Sequence, residues 1–208
     1  MALCVFIDRE SSVTGDLTSR EMIKGSLFVS TFVFVALQIA CSNKLAVEFP
    51  YKQIVLLDVQ GLYGGVDVWI SETGEVVCRK VIPPKEGEEG LQETRYAFSL
   101  SKAQNQKLAK LLGEHDFFTI KTKDRYGVPD EARPAIHVRS ADASHAVAKW
   151  AGDRHEDFEA IYSALWEVVE LAGEKAEIHR GAHDWDWNPD GFPTNKSIRK
   201  STAPDVGD

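Results

Sequence analysis

Two alternating runs on either side of a Thr-Gly pair constrain this chain more than any other feature. In VDVWIS, Val66, Val68 and Ile70 alternate with Asp67, Trp69 and Ser71; Glu72, Thr73 and Gly74 follow, and then EVVCRKVI. Alternation sends successive side chains to opposite faces of a strand, and a short turn containing Gly brings the chain back antiparallel. A β-hairpin is therefore predicted here. The apolar stretch YKQIVLLDVQ, beginning at Tyr51, reads as a strand before it, ended by Gly61, Gly64 and Gly65. GLYGG reads as a turn, because a phosphate-cradling loop needs a helix after it and an alternating run follows instead.

Downstream, the loop PPKEGEEGLQ leads to a strand-like TRYAFSL and then to SKAQNQKLAKLLGEHDFF. Ser101 and Gln104 have capping-box spacing, which predicts a helix near 102–113 with Leu108, Leu111 and Leu112 on one face, packed on the hairpin. The plan then recurs. AIHVRS and HAVAKW flank the turn ADAS, and FEAIYSALWEVVELAG carries Phe158, Ile161, Leu165, Val168, Val169 and Ala172 at helical spacing near 156–172, with Gly173 as its stop. The fold class expected is α+β: an antiparallel sheet built from two hairpin-then-helix units, with both helices on one face.

The stretch SLFVSTFVFVALQIACSN before the domain is an address label. Residues 27–40 are too few for a bilayer span, which needs about 20 mostly apolar residues, but they suit the core of a secretory signal with Lys24 ahead and Ala40 at the cut. Asp8, Glu10, Asp16 and Glu21 are wrong for an export signal, so translation is expected to begin at Met22, with 1–21 an upstream extension. Residues 22–41 resemble a bacterial lipoprotein signal ending at Cys41, although Gln38 stands where that family usually has Leu. The resemblance implies a diacylglycerol thioether on Cys41, a lipid anchor in the cell envelope and a tether over 42–50. Ordinary signal cleavage between Ala40 and Ser42, giving a secreted or periplasmic protein, and an uncleaved anchor helix are the competing readings.

Cysteine usage agrees with export of a domain that needs no disulfide: beside Cys4 and Cys41 there is only Cys78, in a strand-like run where a small buried residue is the ordinary reading. A Cys41–Cys78 bridge becomes possible only if Cys41 carries no lipid. The chain holds 24 Lys and Arg against 32 Asp and Glu, a net charge of −8, with no basic block, which argues against nucleic acid as a partner.

The usual catalytic signatures are absent: G-x-S-x-G, H-E-x-x-H, a Walker loop and C-x-x-C. The best site candidate within 51–173 is KDRYGVPDEARP, where Asp124, Arg125, Tyr126, Asp130 and Arg133, with Glu131, put both signs and an aromatic on one connection. An internally salt-bridged loop with Tyr126 packed beneath it is the favoured alternative. His137 and His145 flank the second turn, but Arg139 and Lys149 nearby disfavour a cation there.

The tail, 174–208, loses apolar periodicity and is expected to be irregular and partly disordered. Within it Asp186, Asn188, Asp190 and Gly191 resemble the first half of an EF-hand loop, which implies weak calcium binding, although Ser197 replaces the closing Glu. His179, His183 and Asp184 offer a transition-metal alternative. The favoured reading has Trp185, Trp187 and Phe192 docking the tail back on the sheet, and no cofactor is expected. Beyond the leader, the pattern of hairpin, helix, D-F-F, charged loop, hairpin and helix over about 63–173 resembles uncharacterised α+β domains of bacterial exported proteins, which implies a fold and no activity. The reading favoured is a non-enzymatic envelope module that binds a protein or small ligand through its sheet face or charged loop. An exported hydrolase whose site assembles only in the fold, and a structural or inhibitory module, are the alternatives.

Overall fold

The computed structural model describes residues 49–203, apart from 62, 88, 124, 127, 129, 174 and 175. The leader, Cys41 and most of the tether lie outside the described residues. Among the described residues there are seven strands: β1 (Tyr51–Leu57), β2 (Gly65–Ser71), β3 (Glu75–Ile82), β4 (Gln92–Ser99), β5 (Ala135–Ser140), β6 (Ser144–Ala148) and β7 (Glu177–Ala182). The described helices are α1 (Lys102–Glu114), α2 (Glu156–Glu170) and α3 (Asn195–Ser201), with a 3-10 turn at Phe117–Thr119. All strands join one sheet in the order β6-β5-β1-β2-β3-β4-β7, every pair antiparallel. Among the described residues no helix is long and apolar enough to cross a membrane.

The central position of β1 follows from its continuous apolar run. Ile54 and Leu56 point to one face and Val55 and Leu57 to the other, and all four are fully enclosed. A strand covered on both sides loses the alternation of a half-exposed one. At the β1–β2 turn, Gly64 has φ +72°, and a Cβ there would lie 2.1 Å from the Val81 carbonyl oxygen. Gly64 and Gly65 are therefore required by close backbone approaches, whereas a Cβ at Gly61 would meet nothing. At the β2–β3 hairpin, Gly74 has φ +80° and faces the Asn105 side chain, where a Cβ would collide at 2.1 Å.

The main core lies on the face of Ile54, Leu56, Val68, Ile70, Cys78 and Ile136, to which α1 contributes Leu108 and Leu112 and α2 contributes Phe158, Ile161 and Leu165. Both halves of the capping box close α1: Ser101 Oγ accepts from Gln104 N–H at 3.3 Å, and Gln104 Oε1 from Ser101 N–H at 2.8 Å. At α2, His155 Nδ1 caps Phe158 N–H, and Glu156, Asp157 and Glu159 place negative charge at the positive end of the helix dipole. The helix closes at Leu171, two residues before the expected Gly173 stop.

Two expectations are revised. Four strands, not one hairpin, precede α1; only β5, β6 and α2 form a hairpin followed directly by a helix. The described part of the tail carries two regular elements, β7 and α3, joined by an irregular stretch over 183–194. The outer edge of β4 would otherwise present unpaired backbone groups, and β7 satisfies them although EIHRGA has little strand character of its own. Thr194 Oγ1 caps α3 at Ser197 N–H, and Ile198 is the residue that α3 buries.

Candidate functional site

The second face of the sheet is polar, and residues 183–203 run across it as a strap. Strand register sets Asp67, Arg79, Arg95 and His179 side by side across β2, β3, β4 and β7. Two arginines directly opposite each other repel, so each needs an anion. Asp67 supplies one, its Oδ2 lying 2.8 Å from both Nε and Nη2 of Arg79. Glu93 supplies the other: its Oε1 accepts from Arg95 Nε at 2.5 Å, and its Oε2 lies 2.7 Å from His183 Nδ1 and 3.8 Å from Arg79 Nη1. The Arg79, Asp67, Glu93 and His183 side chains are almost completely enclosed.

This network fastens the strap. Arg79 Nη1 donates to the Asp184 carbonyl at 3.0 Å, and Glu93 also accepts from the Asp184 N–H. Trp187 meets Trp69 edge-on at 5.5 Å, with the Arg95 guanidinium 3.8 Å from the Trp187 ring centre. Phe192 and Ile198 complete a second small core with Val55, Leu57 and Ala148. Docking through Trp187 and Phe192 is thus what the structure shows. Trp185 stays 56% exposed and only leans on the His183 ring at 4.3 Å.

At the β6 edge of this face the strap leaves an open cavity of about 540 Å3 between β5, β6 and α3, lined among others by His137, Ser144, Ala146, Ser197, Ile198 and Ser201. His137 Nε2 is 2.9 Å from Ser144 Oγ, while its buried Nδ1 has no hydrogen-bond partner. Burial, with Arg139 and His145 nearby, lowers the His137 pKa and holds the ring neutral. His145 faces the opposite side of the sheet, where it donates to the Ile120 carbonyl at 3.0 Å and packs on Phe117. The two histidines cannot share a ligand. In the register, His137 pairs with Ala146 and His145 with Val138, so they alternate faces.

The charged loop is internally bonded. Arg125 holds Glu131 through two contacts of 2.9 and 2.7 Å and Asp153 at 3.1 Å, and this pairing, led by the Arg125 hydrogen bond, draws the Glu131 carboxyl down to about 2. Arg133 donates to the Thr202 carbonyl and stacks over Trp150 at 5.0 Å, so it anchors the end of the strap. Asp130 is exposed with φ 62°, and Asp124 lies outside the described residues. Tyr126 is 75% exposed, not packed beneath the loop as expected, because Trp150 occupies that place against Arg125.

In the tail, Asn188 Nδ2 donates to the Pro189 and Phe192 carbonyls at 2.9 and 3.1 Å while its Oδ1 is unpartnered; Asp186 and Asp190 are exposed. Among the described residues no group of three or more His, Cys, Asp and Glu side chains is placed to hold a metal ion. His179 and His183 are not on a helix; both turn toward Glu93, at 3.8 and 2.7 Å. Cys78 is enclosed in the main core, and burial pushes its thiol up to about 12, which leaves no nucleophilic thiolate at neutral pH.

Sequence reasoning missed Glu93, the hub of the network, by leaving it between a loop and a strand. Its signal was the Glu93, Arg95 alternation: charges two apart on a strand share a face, and both signs on one face can be buried as pairs.

On the helix-covered side, Asp58 is also buried. Its Oδ2 accepts from Tyr162 Oη at 2.6 Å and from Trp166 Nε1 at 3.4 Å. Burial raises the Asp58 pKa, and these hydrogen bonds offset the rise only in part. A carboxyl whose pKa is higher folded than unfolded binds its proton more tightly in the folded state, so stability falls as pH rises through that window. We expect Asp58→Asn to flatten this limb of the melting temperature as pH rises above the ordinary carboxylate range, which parallel wild-type and variant curves would contradict.

Fold and site together define an α+β domain with an apolar face under two helices and a polar face under its own C-terminal strap. Comparison of the chain with protein families, curated proteins and solved structures found no match.

Proposed function

We propose that this chain is an exported, lipid-anchored domain of the bacterial cell envelope that acts as a binding or interaction module. The observation that carries binding is the open cavity at the β6 edge, whose lining includes the bonded pair of His137 and Ser144, whereas the charged groups of the polar face pair with one another beneath the strap. Support for export and anchoring comes from the Lys24-to-Cys41 leader, with membrane contact through lipid on Cys41. The acidic balance supports a protein or small molecule as partner over nucleic acid. Both helices on one face of the sheet belong to the same reading, supported by the single core that α1 and α2 share.

A second reading, an exported hydrolase, draws on Ser144 Oγ at 2.9 Å from a neutral His137, the reach of a general base on a hydroxyl. No carboxylate orients His137 Nδ1, and for that reason binding is preferred.

Expressed in its own host, the protein should partition into detergent as a lipid-modified species beginning at Cys41, and Cys41→Ser should release or stall it. Intact mass of the membrane-extracted protein reads both start site and lipid. Recovery of unmodified full-length chain from the cytosol would sink the anchoring proposal.

A further inference from the structure

We infer that the cavity between β5, β6 and α3 takes a neutral, hydroxyl-bearing small molecule of sugar size. This rests on the binding reading above and adds the chemistry of the ligand. A volume of about 540 Å3 lies within the roughly 300–1,000 Å3 of small-molecule sites. Among the described residues no carboxylate, guanidinium or ammonium group lines it. Its two histidines add no charge: His137 is held neutral, and His145 turns its ring to the opposite face. A charged ligand would lose its hydration there without gaining a counter-charge.

The hydrogen-bonding capacity of the walls selects further. Ser197 Oγ donates to the Thr194 carbonyl and Ser201 Oγ to the Ile198 carbonyl, each at 2.7 Å. Their hydroxyl protons are committed, so both oxygens offer lone pairs and call for donors. The bonded pair of His137 and Ser144 presents the complementary need. If Ser144 donates to Nε2, its oxygen keeps lone pairs for a ligand donor; if Nε2 donates, the Ser144 proton is free for a ligand acceptor. A ligand hydroxyl satisfies either state because it both donates and accepts. Ala146, Pro193 and Ile198 supply an apolar patch for the C–H face of such a molecule. Arg139, which pairs with Ser144 across the strands, lies outside the lining and is the group an anion would seek instead.

The test uses the full chain in detergent, with imidazole-labelled histidine, titrated at neutral pH with methyl glucoside and cellobiose as neutral probes. Glucuronate and glucosamine serve as anionic and cationic counterparts. The expected result is saturable movement of the His137 signal by a neutral sugar, with the charged analogues weaker by about tenfold or more. Ser201→Ala, on an exposed helix position and read at the His137 signal, and His137→Ala, read by titration calorimetry with the same sugars, should each weaken that binding by about fivefold to a hundredfold, with the melting transition of Ser201→Ala unchanged. Tighter binding of glucuronate or glucosamine at the same His137 signal overturns the neutral-ligand inference and leaves the binding reading standing. If no probe of any charge moves the His137 signal while the protein is folded, both are overturned.

Discussion

Arg79→Met is expected to lower the free energy of unfolding by about 3–5 kcal/mol, the cost of removing one partner from a buried ion pair. Arg79 is enclosed, and its guanidinium faces Asp67, Glu93 and the Asp184 carbonyl together. Methionine approximates its length but returns none of these bonds, so the Asp67 carboxylate stays buried without its cation. The strap also loses its central anchor. Urea denaturation of the full chain reads the change, and a loss below about 1 kcal/mol would show that the network contributes little. The double replacement Arg79→Met with Asp67→Leu should recover part of the loss, since an apolar pair leaves no orphan charge. Recovery will be incomplete, because Asp67 Oδ1 also accepts from the Asp58 and Val59 N–H groups at 2.8 and 3.2 Å.

Trp187→Ala should cost about 2–4 kcal/mol, combining lost apolar burial with loss of the edge-on Trp69 contact and of the Arg95 stack. Trp185→Ala, at a side chain more than half exposed, should cost less than about 1 kcal/mol. The two tryptophans are two residues apart on one strap, so the contrast separates docking from mere proximity. Near-UV circular dichroism should lose the signal of the packed Trp69 and Trp187 rings in the first variant only. Millimolar calcium should leave the melting temperature unchanged, since the tail is held by aromatic and ionic contacts. A calcium-dependent rise that disappears in Asp186→Ala would favour the EF-hand-like reading.

Local signals were legible wherever one segment contained the whole device. Ser101 and Gln104 lie three residues apart and form the capping box they announce. Thr73 and Gly74 turn the hairpin, and the apolar spacing from Phe158 to Val169 buries one helix face. Glu93, Arg95, His179 and His183 carried no comparable signal. Their meaning depends on β7 joining β4, a pairing between segments 92–96 and 177–182. An edge strand accepts partners through backbone groups that every residue carries, so EIHRGA was free to read as loop. The cavity at His137 was equally hidden, because its walls come from β5, β6 and an α3 that lies far along the chain.

The amino-acid sequence by itself determined the strand and helix periods, the turns, the caps and the acidic balance, because each depends on neighbours within a few residues. Only the tertiary structure decided which face of the sheet is polar and closed. A row of Asp67, Arg79, Arg95 and His179 would repel or be desolvated at a cost in any one strand. It becomes favourable when strand register brings opposite charges within 3 Å and a distant strap excludes water from them.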